Sequence, residues 1–346
     1  MTPLAVRLRS AAVESLRPLT RRWSSGYARI LMYHRFGADG DFRRMPQGCF
    51  AEQLRYLTRN FRVVPLRELT EQLAAGKPFA RNSVALTVDD GYRDFFTHAY
   101  PVIEEFRVPV TVYVVSRFID QEIWLWFDAI HFLVHSAPAG EFELTLPAGG
   151  RRVELKSLAS RNEAWNLIAD ACLPLMAAQR WTLISSIAGR LGVALPQRPT
   201  PEYAAMSWQE VRQLDPTLID IGVHTMNHPI LSRCDAVEQQ REIAGARRRI
   251  EECLGRAADA FCYPNGQPGD FDQTTVEILR RENFSSAVVA YGGMIDGGAD
   301  RCLLQRLGAP EHMSDFRRCL DGVWELRRRV GRGGAAAGNG GAPHAF

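Results

Sequence analysis

Short apolar runs rich in β-branched residues recur along the chain at Ile30–Tyr33, Phe61–Val64, Val84–Val88, Val110–Val115, Leu218–Val223, Ala260–Tyr263, Ala287–Ala290 and Leu303–Leu307. Four to six residues long and mostly apolar, they predict buried strands. Between them, apolar positions spaced three and four apart predict helices over Phe50–Asn60, Leu66–Ala75, Ala236–Leu254 and Thr274–Glu282. Alternating strands and helices predict an α/β fold, a parallel sheet or barrel. The alternation fails between about residues 118 and 206. That stretch is aromatic-rich, then helical over Glu163–Ala171 and Ala177–Arg190, and reads as an insertion within one domain. Ser207-Trp208 after it reads as a helix N-cap followed by a buried aromatic. The expected organisation is a basic segment 1–29, a body 30–330 and a Gly/Ala-rich tail 331–346 too simple in composition to pack.

Composition narrows the class. With 46% hydrophobic and 23% charged residues, the chain has the balance of an ordinary globular protein, which excludes general disorder, collagen and a coiled-coil rod. The formal charge of +3 hides an uneven distribution. Of 42 basic residues all but Lys77 and Lys156 are arginine. Residues 1–29 hold six Arg against Glu14, and residues 317–332 hold six Arg against Asp321 and Glu325, leaving the body between near −6. A nucleic-acid binder carries its positive surface on the folded body, so nucleic acid is not the expected partner. Seven scattered cysteines without a C-x-x-C suit a reducing compartment. Arginines interrupt the N-terminus before a secretory h-region can form, and no apolar run reaches 18 residues, so the expectation is a cytoplasmic chain without a membrane-spanning helix. Residues 1–29 read either as a solvated basic helix or as one resting on anionic lipid at the inner face of the membrane.

The predicted strands end in chemically unusual residues. Ile30–Tyr33 runs into His34, Val84–Val88 into Asp89-Asp90-Gly91, Leu218–Val223 into His224-Thr225-Met226-Asn227-His228, and Ala260–Tyr263 into Pro264-Asn265-Gly266. In parallel α/β folds the carboxyl ends of the strands are where ligands bind. Two adjacent carboxylates repel unless a cation or hydrogen bonds compensate them. His224 and His228 stand four apart, which one helical turn would place on one face. An aspartate with two histidines makes three protein ligands and leaves an open position. That pattern fits catalytic zinc and equally a two-histidine, one-carboxylate iron site.

Three of these segments carry a resemblance. TVDDGYRD at 87–94, HTMNHPIL at 224–231 and FCYPNG at 261–266 resemble ordered motifs of the polysaccharide deacetylases, the NodB-homology group of carbohydrate esterase family 4. LMYHRF at 31–36 and RLGAPE at 306–311 are similar to flanking motifs of bacterial members. The resemblance spans roughly residues 30–316 and implies a distorted (β/α)7 barrel. It implies that Asp90, His224 and His228 bind a divalent metal, zinc first, with cobalt, manganese or iron as alternatives. Asp89 would be the general base, and the Tyr263 backbone N–H would stabilise the oxyanion. The implied reaction removes N-acetyl groups from amino sugars of a polysaccharide, oligosaccharide or lipid-linked glycan, in exopolysaccharide or cell-envelope metabolism.

The chain departs from the family pattern at two points. Cys262 stands where the family has an arginine that orients the base, and Arg306 is the candidate replacement. The usual histidine general acid in an L-x-H context is absent, leaving His312 and His34 as candidates. His98, His131 and His135 read as structural. Thr225 is expected to steady the metal loop through its hydroxyl. Asn265 is expected in a tight turn and near substrate. In the insertion, Trp124-Leu125-Trp126-Phe127-Asp128 reads either as a core anchor or as a sugar subsite in which Trp126 or Asp128 touches the glycan. Two other functions compete with deacetylation. A catalytically degenerate carbohydrate-binding protein would explain the missing arginine but not the retention of Asp89 beside a full ligand set. An iron oxygenase would leave Asp89 without a role.

Overall fold

The computed structural model describes residues 17–38 and 44–332. Parallel strands β1 (Arg29–Tyr33), β2 (Arg62–Val63), β3 (Ser83–Val88), β4 (Val110–Val114), β5 (Ile219–Val223), β6 (Ala260–Cys262), β7 (Ser286–Val288) and β8 (Leu307–Gly308) form one sheet. All eight overlap the expected runs. The order is β7-β6-β5-β4-β3-β1-β8, with β2 added beside β3. Leu31 of β1 faces Leu86 of β3 on one side and Leu307 of β8 on the other. The same closing segment reaches the far edge of the sheet, because Leu304 bridges Val288 of β7, donating to Ala287 O and accepting from Val289 N, each at 2.9 Å. The sheet therefore curls into a distorted seven-stranded barrel. β1, β3 and β4 are buried along their whole length, as strands under a helical layer must be.

The outer layer includes α1 (Gln47–Asn60), α2 (Leu66–Ala74) and α3 (Tyr100–Phe106). After β4 the chain leaves the barrel for α4 (Trp126–Ser136), an antiparallel hairpin of Glu141–Leu146 with Gly149–Glu154, α5 (Leu158–Cys172) and α6 (Ala177–Leu191). It returns through a helix at Trp208–Gln213, which Ser207 caps by accepting from Glu210 N. The excursion shares one apolar core with the barrel. Trp165 Nε1 donates to Phe127 O at 3.0 Å and Trp124 Nε1 to Pro196 O at 2.8 Å, so the aromatics tie it down. The hairpin was not expected. Its signal was the alternation of Phe142, Leu144 and Leu146 with Glu141, Glu143 and Thr145. The barrel resumes with α7 (Ala236–Leu254), capped by Asp235, then α8 (Gln273–Arg281), α9 (Met313–Leu320) and α10 (Val323–Arg332).

Residues 1–16 of the basic N-terminal segment and 333–346 of the tail lie outside the described residues. The rest of the basic segment belongs to the barrel, against the expected boundary at residue 29. Arg17 Nε donates to Asp321 Oδ2 at 2.8 Å. Arg29, fully buried, donates to Leu320 O at 2.8 Å, Tyr27 O at 2.7 Å and Ser24 Oγ at 2.7 Å, sewing the start of β1 to the end of α9. The acceptors of this buried guanidinium would each lose a partner in Arg29→Met. Unsatisfied buried acceptors cost about 1–3 kcal/mol apiece, so the variant is expected to lose about 3 kcal/mol, read from its urea midpoint.

Candidate active site

The ends of β1, β3, β5 and β6 converge on one small cavity lined by His34, Asp89, Asp90, Phe127, His224, His228, Tyr263, Asn265 and Ala290. Backbone geometry at these strand ends is specific. Asp90 has φ 73° and Gly91 φ 86°, so the chain turns sharply out of β3, and both carboxylates line the one cavity. A Cβ on Gly91 would lie 2.8 Å from Ile119 Cδ1, so the second of these positions requires glycine.

Asp89 faces Arg306. The guanidinium donates from Nη1 to Oδ1 and from Nη2 to Oδ2, each at 2.7 Å, a bidentate pair in which Arg306 is completely buried. Arg306 is itself fixed by Val289 O at 2.9 Å and Thr87 Oγ1 at 3.0 Å. Burial pushes the Asp89 acid up, but Arg306 outweighs it and holds the carboxyl well below the usual range. Cys262 approaches both partners, its Sγ 3.4 Å from Asp89 Oδ2 and 3.2 Å from Arg306 Nη2. Burial pushes this thiol up, so it remains neutral.

Asp90 faces the histidines. Its Oδ1 lies 3.5 Å from His224 Nε2 and 3.5 Å from His228 Nε2 and, although buried, accepts no hydrogen bond among the described residues. Three ligands at tetrahedral angles around zinc stand about 3.3 Å apart, given bonds of about 2.0–2.1 Å. The spacing and the orphaned oxygen fit a cation. His224 Nδ1 lies 2.7 Å from Cys262 O, a contact that fits the tautomer with Nε2 free to accept. Burial and the neighbouring His224 push His228 down to about 3, which keeps its imidazole neutral. Burial lowers His224 too, but Cys262, Asp90 and Asp89 around it prevail and raise it. A second grouping, Asp89, His224 and Cys262, also has ligand spacing. Both Asp89 oxygens already serve Arg306, whose positive charge repels a cation there.

The two histidines are not on a helix. His224–His228 is a loop with left-handed Thr225 (φ 64°) and His228 (φ 53°). As expected, the Thr225 hydroxyl braces it, donating to His224 O at 2.6 Å and accepting from His228 N at 3.1 Å. Glu242 of α7 also grips this loop and was not anticipated, its only signal being an acidic residue on the inward face of an amphipathic helix.

Other expected residues fall differently. The Tyr263 N–H is spent on Val288 O at 3.2 Å, and its hydroxyl donates to Cys302 O at 2.8 Å. Tyr263 therefore cannot offer its N–H to an oxyanion. The next non-proline N–H, of Asn265, meets no acceptor among the described residues, and Asn265 Nδ2 and Oδ1 are buried without partners. His34 lines the cavity with Nε2 3.7 Å from Asp89 Oδ2, whereas His312 is exposed at the start of α9 and does not line it. Trp126 and Asp128 do not line it either. Trp126 is 3% exposed under the Arg180 guanidinium, and Asp128 is 0% exposed and accepts from Tyr92 OH at 2.5 Å. Helical geometry turns both inward and presents Phe127, whose ring packs 5.4 Å from His228. His131 Nδ1 lies 2.6 Å from Tyr203 OH in the core of the insertion.

A parallel barrel with a cation-ligand triad and a clamped carboxylate at its strand ends has the makings of a barrel hydrolase. The chain belongs to the polysaccharide deacetylase family, whose model matches residues 76–287. It is similar to the poly-β-1,6-N-acetyl-D-glucosamine N-deacetylase of Escherichia coli (strain K12), 31% identical over 84 residues, which is 24% of this chain and 12% of that protein. The likeness thus spans about an eighth of that relative's length. In fold it is similar to the deacetylase PplD of Streptococcus pyogenes (TM-score 0.56, 16% identity, 84% of this chain and 96% of that one). It is also similar to IcaB from Ammonifex degensii (TM-score 0.53, 18% identity, 85% and 97%).

Arg306→Met removes the charge that opposes burial at Asp89. The Asp89 carboxyl then rises, and because only the ionised form accepts a proton, activity is lost on acidification from a higher pH than in the wild type. The acid limb of the kcat/KM profile should move up in pH, with kcat lower by about 10²-fold.

Proposed function

We propose that the protein hydrolyses the N-acetyl group of an amino sugar within a glycan, releasing acetate and leaving a free amine. The observation that carries this reading is the Arg306-clamped Asp89 beside the Asp90, His224 and His228 triad. The acetamido group enters the cavity against Phe127. Asp89 accepts the proton of the attacking water through a lone pair that Arg306 leaves unused. The Asn265 N–H donates to the oxygen that gains charge, in place of the Tyr263 N–H. His34 protonates the departing amine as the C–N bond breaks and the C–O bond persists in acetate. Asp90, His224 and His228 hold a divalent metal, zinc first by the donor set, with cobalt, manganese and iron as the other ions that set accepts. A bound ion would polarise the acetyl carbonyl and acidify the attacking water, which matters because a carboxylate held so far down is a weak base. Arg306 also answers the degenerate-protein alternative, since it supplies at Asp89 the charge that Cys262 lacks.

The name of the Escherichia coli relative makes a β-linked N-acetylglucosamine polymer the first substrate to try. We place the activity in exopolysaccharide assembly at the cytoplasmic face of the membrane. The features in favour are Leu19 and Trp23, 65% and 41% exposed one helical turn apart, with the exposed Arg22 beside them. No helix among the described residues is long and apolar enough to cross a membrane.

With N-acetylglucosamine oligomers, Asp89→Asn is expected to lower acetate release by about 10³-fold while metal stoichiometry is unchanged. His224→Ala and His228→Ala should each lose the metal, and a chelator should silence the wild type. Metal lost from Asp89→Asn would mean that the two aspartates have exchanged roles. Leu19→Ser with Trp23→Ser should release the protein from anionic vesicles in a sedimentation assay without changing turnover of soluble oligomers.

A further inference from the structure

We infer that Glu242 is a positioning residue for the cation site, acting through the backbone that carries His228. This rests on the reading of Asp90, His224 and His228 as ligands. The inward face of α7 is Gln239, Glu242, Ile243, Ala246 and Ile250, and Glu242 is the one acid on it, 2% exposed. Its Oε2 accepts the N–H of Met226 at 3.0 Å and of Asn227 at 2.9 Å, while Oε1 accepts from Asn227 Nδ2. Arg117 Nη1 donates to Asn227 Oδ1 at 2.7 Å and so fixes which end of that amide faces Glu242. Every contact made by the carboxylate is with a donor, so the ionised form, an acceptor at both oxygens, is the one that fits.

The loop needs such a clamp. Two non-glycine residues with positive φ, Thr225 and His228, lie within it, and each carries a conformational cost that surrounding bonds must offset. The far side is already held, because Ser116 N donates to Thr225 O at 3.1 Å and Arg117 N to Met226 O at 3.2 Å. Glu242 completes the grip on the N–H side. The two ligand histidines are supported unequally. His224 is oriented by Cys262 O through Nδ1, whereas His228 Nδ1 is buried without a partner among the described residues. A ligand imidazole ordinarily owes its orientation to a bond at its second nitrogen. His228 has none, so its aim depends on where the backbone puts it, and Glu242 holds the two residues before it.

The test is Glu242→Gln, which keeps the shape but sets an amide N–H against backbone donors. Zinc affinity, measured by competition with a chromophoric chelator, should weaken by about 10–100-fold, the usual effect of losing an outer-shell partner. At saturating zinc, kcat should return and KM for the N-acetylglucosamine oligomer should match the wild type, a pattern that simple loss of folding would not give. Wild-type zinc affinity in Glu242→Gln would overturn the inference and leave the cation site standing. A wild type that binds no divalent ion would overturn both. Should Glu242→Gln fail to fold, amide exchange in the metal-free wild type decides: Met226 and Asn227 should be protected, and exchange at the rate of an open loop would overturn the proposal.

Discussion

The pair between Asp89 and Arg306 is the interaction on which the site depends. Removing two charges from water costs several kcal/mol per ion, and only good geometry with the remaining donors and acceptors satisfied compensates. Here both guanidinium arms meet both carboxylate oxygens, and Nε and the second bond of Nη1 go to Val289 O and Thr87 Oγ1. The partners come from β3 and from the segment that closes the barrel. The same pair therefore welds the last strand to the ring and fixes the ionisation of the proposed base.

The left-handed turn at Asp90 separates the jobs of two neighbouring acids. Asp89 is neutralised by a side chain that is part of the protein. Asp90 is approached by two histidines and keeps an oxygen in reserve. A single backbone conformation, at a position followed by an obligatory glycine, holds the two acids in one cavity on different partners.

Much of this was legible in the chain and some was not, for identifiable reasons. Strands covered on both faces, such as β1, β3 and β4, produce continuous apolar runs and were readable, as was the chemistry at their ends. The spacing of His224 and His228 misled, because a four-residue interval suits a helical turn as well as a loop with two left-handed residues. The Tyr263 N–H was lost to a ladder bond that depends on the register between β6 and β7, which no single segment reveals. Whether Trp126 and Asp128 anchor the core or touch the glycan could not be read, because phase along a helix cannot be fixed without its partner surface; both are buried and Phe127 lines the cavity. The basic segment looked external because its charges are obvious, whereas Asp321, which receives Arg17, lies 304 residues away.

That separation in sequence has a further meaning at Asp89 and Arg306, which stand 217 residues apart. The proposed metal ligands are complete once β3 and β5 are paired through β4, but the clamp arrives only with the segment that follows β7. The proposed base is thus clamped by a segment that the proposed ligands do not need, and the site is whole only where the end of the ring docks on its beginning.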